Sequence, residues 1–119
     1  MNEWEMENSE RFEEIRQQWR EDWYGEYGSP EENPDFWRAI SSNSYLTDLS
    51  GPIQIHHAKG DVVVPFEFSQ TLQSEMEVAG MPSELFLYEG DDHNIATNFW
   101  TAMQTSVNFF NEHVKNANP

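Results

Sequence analysis

The sequence predicts an α/β fold in which helices flank a parallel sheet. Two observations favour this fold class. Short β-prone segments alternate with amphipathic helical segments in the second half of the chain, and glycine or proline residues mark the boundaries between them. Such alternation is typical of parallel strands joined by helical crossovers. Two strands rarely make a stable parallel sheet by themselves, so we expect this region to be the edge of a larger sheet.

Composition excludes several classes of partner. The chain has 119 residues, a formal net charge of -16 and a pI near 4.3. Nucleic acids and anionic membrane surfaces are therefore not expected partners, because both are bound through lysine and arginine. Cysteine is absent, which excludes disulfides and thiolate metal sites. The acidic start of the chain differs from a signal peptide, so a cytoplasmic location is the default expectation.

The first element is an acidic amphipathic helix. Phe12, Ile15, Trp19 and Trp23 recur at helical spacing, which predicts a helix over 9–24 that ends at Gly25. Residues 1–35 hold 12 of the 22 acidic side chains. We interpret 1–27 as an acidic helix that serves as a cap or linker, and 28–119 as the rest of the domain. The acidic face is either a solvated surface or a face that docks on another part of the protein.

A turn-rich segment and a short helix follow. Pro30 and Pro34 interrupt regular structure, and a helix is predicted over 34–40 with Asn33 as its cap and Pro34 at its first position. Several tryptophans of this half either pack against another part of the protein or line a substrate site; they are Trp4, Trp19, Trp23 and Trp37.

The next two elements are a strand and a helix. Residues 52–57 (PIQIHH) are β-prone and bounded by Gly51 and Gly60, which predicts a strand. A helix is predicted over 66–79, because Pro65 precedes it and Gly80 follows it.

A second strand and helix complete the chain. The apolar run LFLY at 85–88 predicts a strand that is buried on both faces. A helix is predicted from Trp100 to about Lys115, with an apolar stripe that we expect to pack in the core; the stripe is Trp100, Met103, Val107, Phe110 and Val114.

The loops after the two strands contain one acid and one imidazole. Asp61 lies in the first loop and His93 in the second. Ligand sites of open α/β sheets lie beyond the carboxyl ends of the strands, so the two side chains should meet there. A carboxylate at that position could orient the imidazole. The alternatives are that Asp61 caps the next helix and that His93 is a loop histidine with no catalytic task.

These segments resemble the end of the prolyl oligopeptidase family catalytic domain and its dienelactone-hydrolase-like relatives. The resemblance rests on GPIQIHHAKGDVVVP at 51–65, which contains a Gly-x-x-Asp-x-x-Val-Pro-like pattern, and on EGDDHN at 89–94. Further support comes from SPEENPDFW at 29–37, Ile40-Ser41 and Tyr45-Leu46. The likeness covers about Gly28 to Val114. Ala58 stands where the family usually has glycine.

The resemblance implies the C-terminal β-α-β-α portion of an α/β-hydrolase fold, preceded by the acidic helix. It also implies a serine hydrolase or peptidase that cleaves a peptide or ester substrate, with Asp61 as the triad acid and His93 as the general base. In this fold the serine precedes the aspartate at a Gly-x-Ser-x-Gly turn. That motif does not occur in the 119 residues.

We therefore expect a fragment that is inactive alone. Its partner would be the missing N-terminal half of the hydrolase domain, or a second copy through self-association. The alternative is a non-catalytic acidic binding module of hydrolase ancestry, which would be a stable, discrete species without partner-dependent hydrolysis.

No cofactor or metal is expected. The pair His56-His57 raises the possibility of a metal site, but adjacent strand residues point to opposite faces of a sheet and cannot easily ligate one ion.

Overall fold

The computed structural model describes the backbone of residues 3–116 and the side chains of residues 9–116. The chain divides into two compact units, Met1–Tyr45 and Leu46–Pro119. The boundary proposed from the sequence, between 27 and 28, stays a prediction about domain organisation. No helix in the described part of the chain is long and apolar enough to cross a membrane.

Helix α1 (Glu3–Tyr27) is longer than the sequence predicted, and its expected end at Gly25 was wrong. Gly25 lies inside the helix, where a single glycine costs about 1 kcal/mol but does not stop propagation. The stop is Gly28, whose φ of 79° is left-handed and whose N–H donates to the Tyr24 carbonyl at 2.9 Å. A glycine in this conformation directly after a helix is a common way to end it.

Helix α2 (Pro34–Ile40) has the predicted bounds, with Pro34 in its first turn. Asn33 occupies the N-cap position, but the expected cap bond is not formed. The Asn33 side-chain amide instead donates to the Tyr27 carbonyl at 3.0 Å, near the end of α1. A 3₁₀ segment over Ser42–Asp48, which the sequence did not predict, follows α2.

Aromatic side chains pack together in the first unit. Trp23 of α1 lies 6.1 Å from Trp19 and 6.1 Å from Trp37 between ring centroids, and Tyr27 stacks on Phe36 at 4.5 Å. The Trp37 indole N–H donates to the Gly28 carbonyl at 2.8 Å. Trp19, Trp23 and Trp37 therefore contact other rings of this unit, although Trp19 is 63% exposed, while the side chain of Trp4 lies outside the described residues.

Strands β1 (Ile53–Ala58) and β2 (Ser83–Tyr88) pair in parallel, as predicted. The register places Ile53 opposite Ser83 and Ala58 opposite Tyr88. The two strands therefore end at the same level, which brings the loops that follow them together. Strand β2 begins two residues before its predicted start, and most of it is only half-buried rather than fully buried on both faces.

Helices α3 (Glu67–Val78) and α4 (Phe99–Phe110) lie on opposite faces of this sheet. The His57 imidazole contacts Ser69 of α3, whereas the His56 imidazole lies 3.4 Å from the Ser106 hydroxyl of α4. A π-helical turn over Asn111–Lys115 extends α4 to the predicted end of that helix. Ala58 and Met76 are the most deeply buried residues of this unit.

The apolar stripe of α4 and of the π-helical turn after it does not pack in the core, contrary to expectation. Its five residues are exposed, from 45% for Met103 to 82% for Trp100. The half-buried side chains of α4 are Ala102, Thr105, Ser106 and Phe109 instead, on a neighbouring face of the helix. A sheet of two strands offers too little apolar surface to cover both of these faces of α4.

Candidate functional site

The loops after β1 and β2 bring the predicted acid and imidazole together. Asp61 Oδ2 accepts a hydrogen bond from His93 Nδ1 at 2.8 Å. The two residues are 32 positions apart in the chain, and the parallel register is what places them side by side. The Asp61 side chain is 3% exposed and the His93 side chain 48% exposed.

The contact fixes the tautomer of His93. A carboxylate can only accept, so Nδ1 of the imidazole carries the proton of this hydrogen bond. In the neutral imidazole, Nε2 is then left with a free lone pair on the opposite side of the ring. Within residues 9–116 no protein group forms a hydrogen bond with that Nε2. His93 is therefore a half-exposed imidazole. The buried Asp61 carboxylate holds its Nδ1 and so fixes the direction of Nε2.

Asp61 is held by its own loop as well as by His93. Its Oδ1 accepts from the backbone amides of Val63 at 2.8 Å and Val64 at 2.9 Å. The suggested alternative role, capping the next helix, is not observed, because both amides precede the start of α3. Burial raises the pKa of Asp61, but hydrogen bonds from Val64, His93 and Val63 and the charge of His93 outweigh it. The pKa is therefore below its ordinary value, and Asp61 is ionised near neutral pH.

His57 is a third member of the cluster, and the sequence reasoning did not identify it as one. Its Nε2 lies 3.0 Å from Asp61 Oδ2, and its Nδ1 lies 2.6 Å from the Ser69 hydroxyl. A signal was available: His57 is near the end of a predicted strand, four residues before Asp61.

Asp91 organises the loop that carries His93, and it too was missed. This carboxylate is buried, and it accepts from the amides of Asp92, Thr97 and Asn98 and from the side-chain amide of Asn98. Burial raises the pKa of Asp91, but these hydrogen bonds lower it by more than burial raises it. The pKa therefore lies below its ordinary value. The carboxylate therefore joins the start of the loop to the start of α4.

A pocket of about 230 Å³ adjoins the pair. Ile95, which lines it beside His93, has a φ of 52°. A β-branched residue rarely adopts this left-handed conformation, so the backbone is strained next to the imidazole. The remaining lining residues are His56, His57, Ala58, Asp61 and Val64.

His56 and His57 lie on opposite faces of the sheet, as expected. His56 stacks on Phe86 and Tyr88, and its Nδ1 lies 2.9 Å from the Tyr88 hydroxyl. The described side chains contain no group of three or more histidine, aspartate or glutamate residues placed to hold a metal ion.

Comparison with protein families gives one decisive match. The sequence model of the prolyl oligopeptidase family matches residues 4–117. The chain belongs to the prolyl oligopeptidase family. The match begins within α1, upstream of Gly28, where the motifs that resemble the family begin.

Membership of the prolyl oligopeptidase family implies an α/β-hydrolase fold and a serine hydrolase or peptidase ancestry. The helices and the small parallel sheet described above agree with that fold class. Comparisons with curated proteins and with solved structures gave no match.

Proposed function

We propose that this chain supplies the acid and the general base of a serine hydrolase active site. The observation that carries the proposal is the 2.8 Å hydrogen bond from His93 Nδ1 to the buried Asp61 carboxylate. Asp61 orients the imidazole and stabilises the imidazolium that forms during the reaction. Within the prolyl oligopeptidase family this pair fits hydrolysis of a peptide or ester substrate.

In the proposed reaction His93 acts through Nε2. This nitrogen takes the proton of a serine hydroxyl while the serine oxygen attacks the carbonyl carbon of the substrate. It then gives the proton to the departing amine or alcohol, and the acyl group stays on the serine. Water releases the acyl group in the second half of the reaction, in which Nε2 takes a proton from the water and returns it to the serine oxygen. The half-exposed ring and the adjacent pocket would leave room for both partners.

We place the serine nucleophile on polypeptide other than these 119 residues. The sequence has no Gly-x-Ser-x-Gly segment, and no serine of residues 9–116 is hydrogen-bonded to His93. In this proposal β1, α3, β2 and α4 are the C-terminal portion of the hydrolase domain. Further strands would pair with its sheet, and the exposed apolar stripe of α4 would be covered by the rest of the domain.

The proposal is tested by complementation. The 119-residue chain is co-expressed with the serine-bearing N-terminal portion of a prolyl oligopeptidase family hydrolase domain, and the purified complex is assayed with a p-nitrophenyl ester and a peptide p-nitroanilide. We expect hydrolysis with the wild-type chain and its loss with His93→Ala. A control complex in which the serine of the partner is replaced by alanine should also be inactive.

Two outcomes would contradict the proposal. One is a stable, folded complex that hydrolyses neither substrate. The other is hydrolysis that is unchanged by His93→Ala. A discrete, cooperatively folded chain that binds the partner without any hydrolysis would favour the alternative, a non-catalytic acidic binding module.

A further inference from the structure

A groove of about 490 Å³ lies in the first unit and is lined by residues of α1 and α2. The rings of Trp19, Trp23 and Trp37 line it in succession, with 6.1 Å between neighbouring ring centroids. Two isoleucines add to the apolar wall and are largely exposed, Ile15 at 45% and Ile40 at 54%. A continuous exposed apolar surface of this kind often marks a binding site.

Two guanidinium groups lie beside these rings. Arg16 and Arg20 both line the groove and are one helical turn apart on α1. Like charges at this spacing in a helix repel each other. The chain has only six lysine and arginine residues against 22 acidic ones, so the two neighbouring arginines form a local positive region on an acidic protein.

The helix places no carboxylate next to Arg20. A helix brings together side chains that are three or four positions apart. For Arg20 these neighbours are neutral or basic, and they are Arg16, Gln17, Trp23 and Tyr24. Arg20 makes no hydrogen bond or ion pair with residues 9–116, whereas Arg16 pairs with Glu13 at 2.9 Å.

The acidic residues that follow Arg20 bind other partners. Glu21 accepts a hydrogen bond from the Gln17 side chain at 3.1 Å, and Asp22 accepts one from the Gln18 side chain at 2.9 Å. The positive charge of Arg20 therefore has no partner of its own at the edge of the aromatic groove.

We propose that this groove binds a small apolar carboxylate. The carbon skeleton of the ligand packs on the tryptophan rings, and its carboxylate pairs with the guanidinium of Arg20, whose planar donors match a carboxylate. A volume of about 490 Å³ lies within the range of small-molecule sites. The proposal concerns the first unit alone and is independent of the roles of Asp61 and His93.

The chemistry of the lining excludes simpler ligands. An inorganic anion would pair with Arg20 but would leave the aromatic wall exposed to water. A neutral apolar molecule would cover the wall but would leave the guanidinium unpaired. A second copy of the chain is disfavoured because it brings a further net charge of -16 towards an acidic helix.

The test is NMR of the 119-residue chain labelled with ¹⁵N-tryptophan, at pH 7. The probes are 4-phenylbutyrate and 4-phenyl-1-butanol, which share an apolar part and differ in charge. We expect both to shift the indole signals of Trp19, Trp23 and Trp37, and the carboxylate to bind about 5-fold more tightly than the alcohol. Trp100 of α4 is 82% exposed, lies in the second unit and serves as the internal control, with no shift.

Three substitutions on α1 separate charge from apolar contact. Arg20→Gln keeps a good helix former and should weaken binding of the carboxylate to the level of the alcohol. Arg11→Gln makes the same change of charge outside the groove and should alter neither affinity. Trp19→Ala should weaken both. All three residues are exposed, so these changes leave the unit folded.

Several results would overturn the proposal. They are equal affinities for the two probes in the wild type, unchanged carboxylate binding in Arg20→Gln, and shifts at Trp100 as large as those at Trp19. Concentration-dependent broadening of the Trp19 signal without a probe would assign the groove to a second copy instead. Loss of 4-phenylbutyrate binding in the complemented complex would assign it to the rest of the hydrolase domain.

Discussion

Gly60 and Asp91 hold the two loops of the candidate site in direct contact. A β-carbon added to Gly60 would lie 2.6 Å from the Asp91 carbonyl oxygen, closer than non-bonded atoms can approach. Gly60 immediately precedes Asp61, and Asp91 lies two residues before His93. The hydrogen bond between acid and imidazole therefore depends on a residue without a side chain at position 60.

Gly60→Ala should separate the loops. We expect a loss of stability of about 1–3 kcal/mol in the second unit, because the backbone must shift to admit the methyl group. The single Nδ1–H form of His93 should be lost as well. Native-state hydrogen exchange of the β1 and β2 amides measures the first effect, and histidine NMR measures the second.

Gly51→Ala is the matched control for this substitution. An added β-carbon at Gly51 would meet nothing within 4 Å, and we expect a change smaller than about 1 kcal/mol. An unchanged Gly60→Ala protein would show that the loops do not rely on this close approach.

Asp61→Asn should abolish most of the activity of the complemented enzyme. The change keeps the shape of the side chain but removes the charge that fixes the His93 tautomer, and in a serine protease triad the same exchange lowers kcat by about 10⁴-fold. The hydrolysis rate of the complex measures the effect. Glu89 is an exposed carboxylate that pairs with Lys59. The control substitution Glu89→Gln removes one charge near the site and should leave the rate unchanged. Equal rates for Asp61→Asn and the wild type would argue against a role for Asp61.

The second unit should lose stability in acid. The pKa values of Asp61 and Asp91 lie below their ordinary value of 3.8 in the folded protein. As the pH falls, these two carboxylates are therefore protonated in the unfolded chain before they are protonated in the folded chain. The stabilisation that the ionised carboxylates give to the folded unit is complete above their ordinary pKa. It declines as the pH falls through their lowered pKa values. Urea unfolding of the second unit between pH 6 and pH 2 should show this decline. Asp91→Asn should make it shallower, and an equally steep decline in that variant would contradict the assignment.

Two glycines near the end of α1 should respond in opposite directions to alanine. Gly28→Ala places a side chain at a φ of 79° and should destabilise the first unit by about 1 kcal/mol or more. Gly25→Ala lies inside the helix with free space around it and should stabilise that unit by about 0.5–1 kcal/mol. Thermal unfolding followed by far-ultraviolet circular dichroism compares the two. The same sign of change for both would show that α1 does not end as described.

The sequence predicted most elements because their signals are local. Alternating apolar patterns with proline and glycine at the boundaries located both strands of the second unit and its two helices. The end of α1 was misplaced because the sequence does not show which of the two glycines, Gly25 or Gly28, ends the helix. Only the left-handed backbone at Gly28 distinguishes them. The exposed stripe of α4 was misread because periodicity identifies an apolar face without identifying what covers it.

The candidate pair was also predictable, since parallel strands place the loops that follow them at one edge of the sheet. The residues that surround the pair were not. His57 contacts Asp61 only because the loop turns back over the end of β1, and Asp91 depends on the exact path of residues 91–98. Both are long- or medium-range consequences of loop geometry, for which the sequence has no periodic signal.

The measurement that tests the central claim most directly is the rate at which a fluorophosphonate labels the partner serine in the complemented complex. Labelling requires an activated serine and does not depend on the choice of substrate. We predict rapid labelling with the wild-type chain and a rate near the uncatalysed background with His93→Gln. Equal labelling rates in two equally folded complexes would show that His93 is not the base, and would contradict the account.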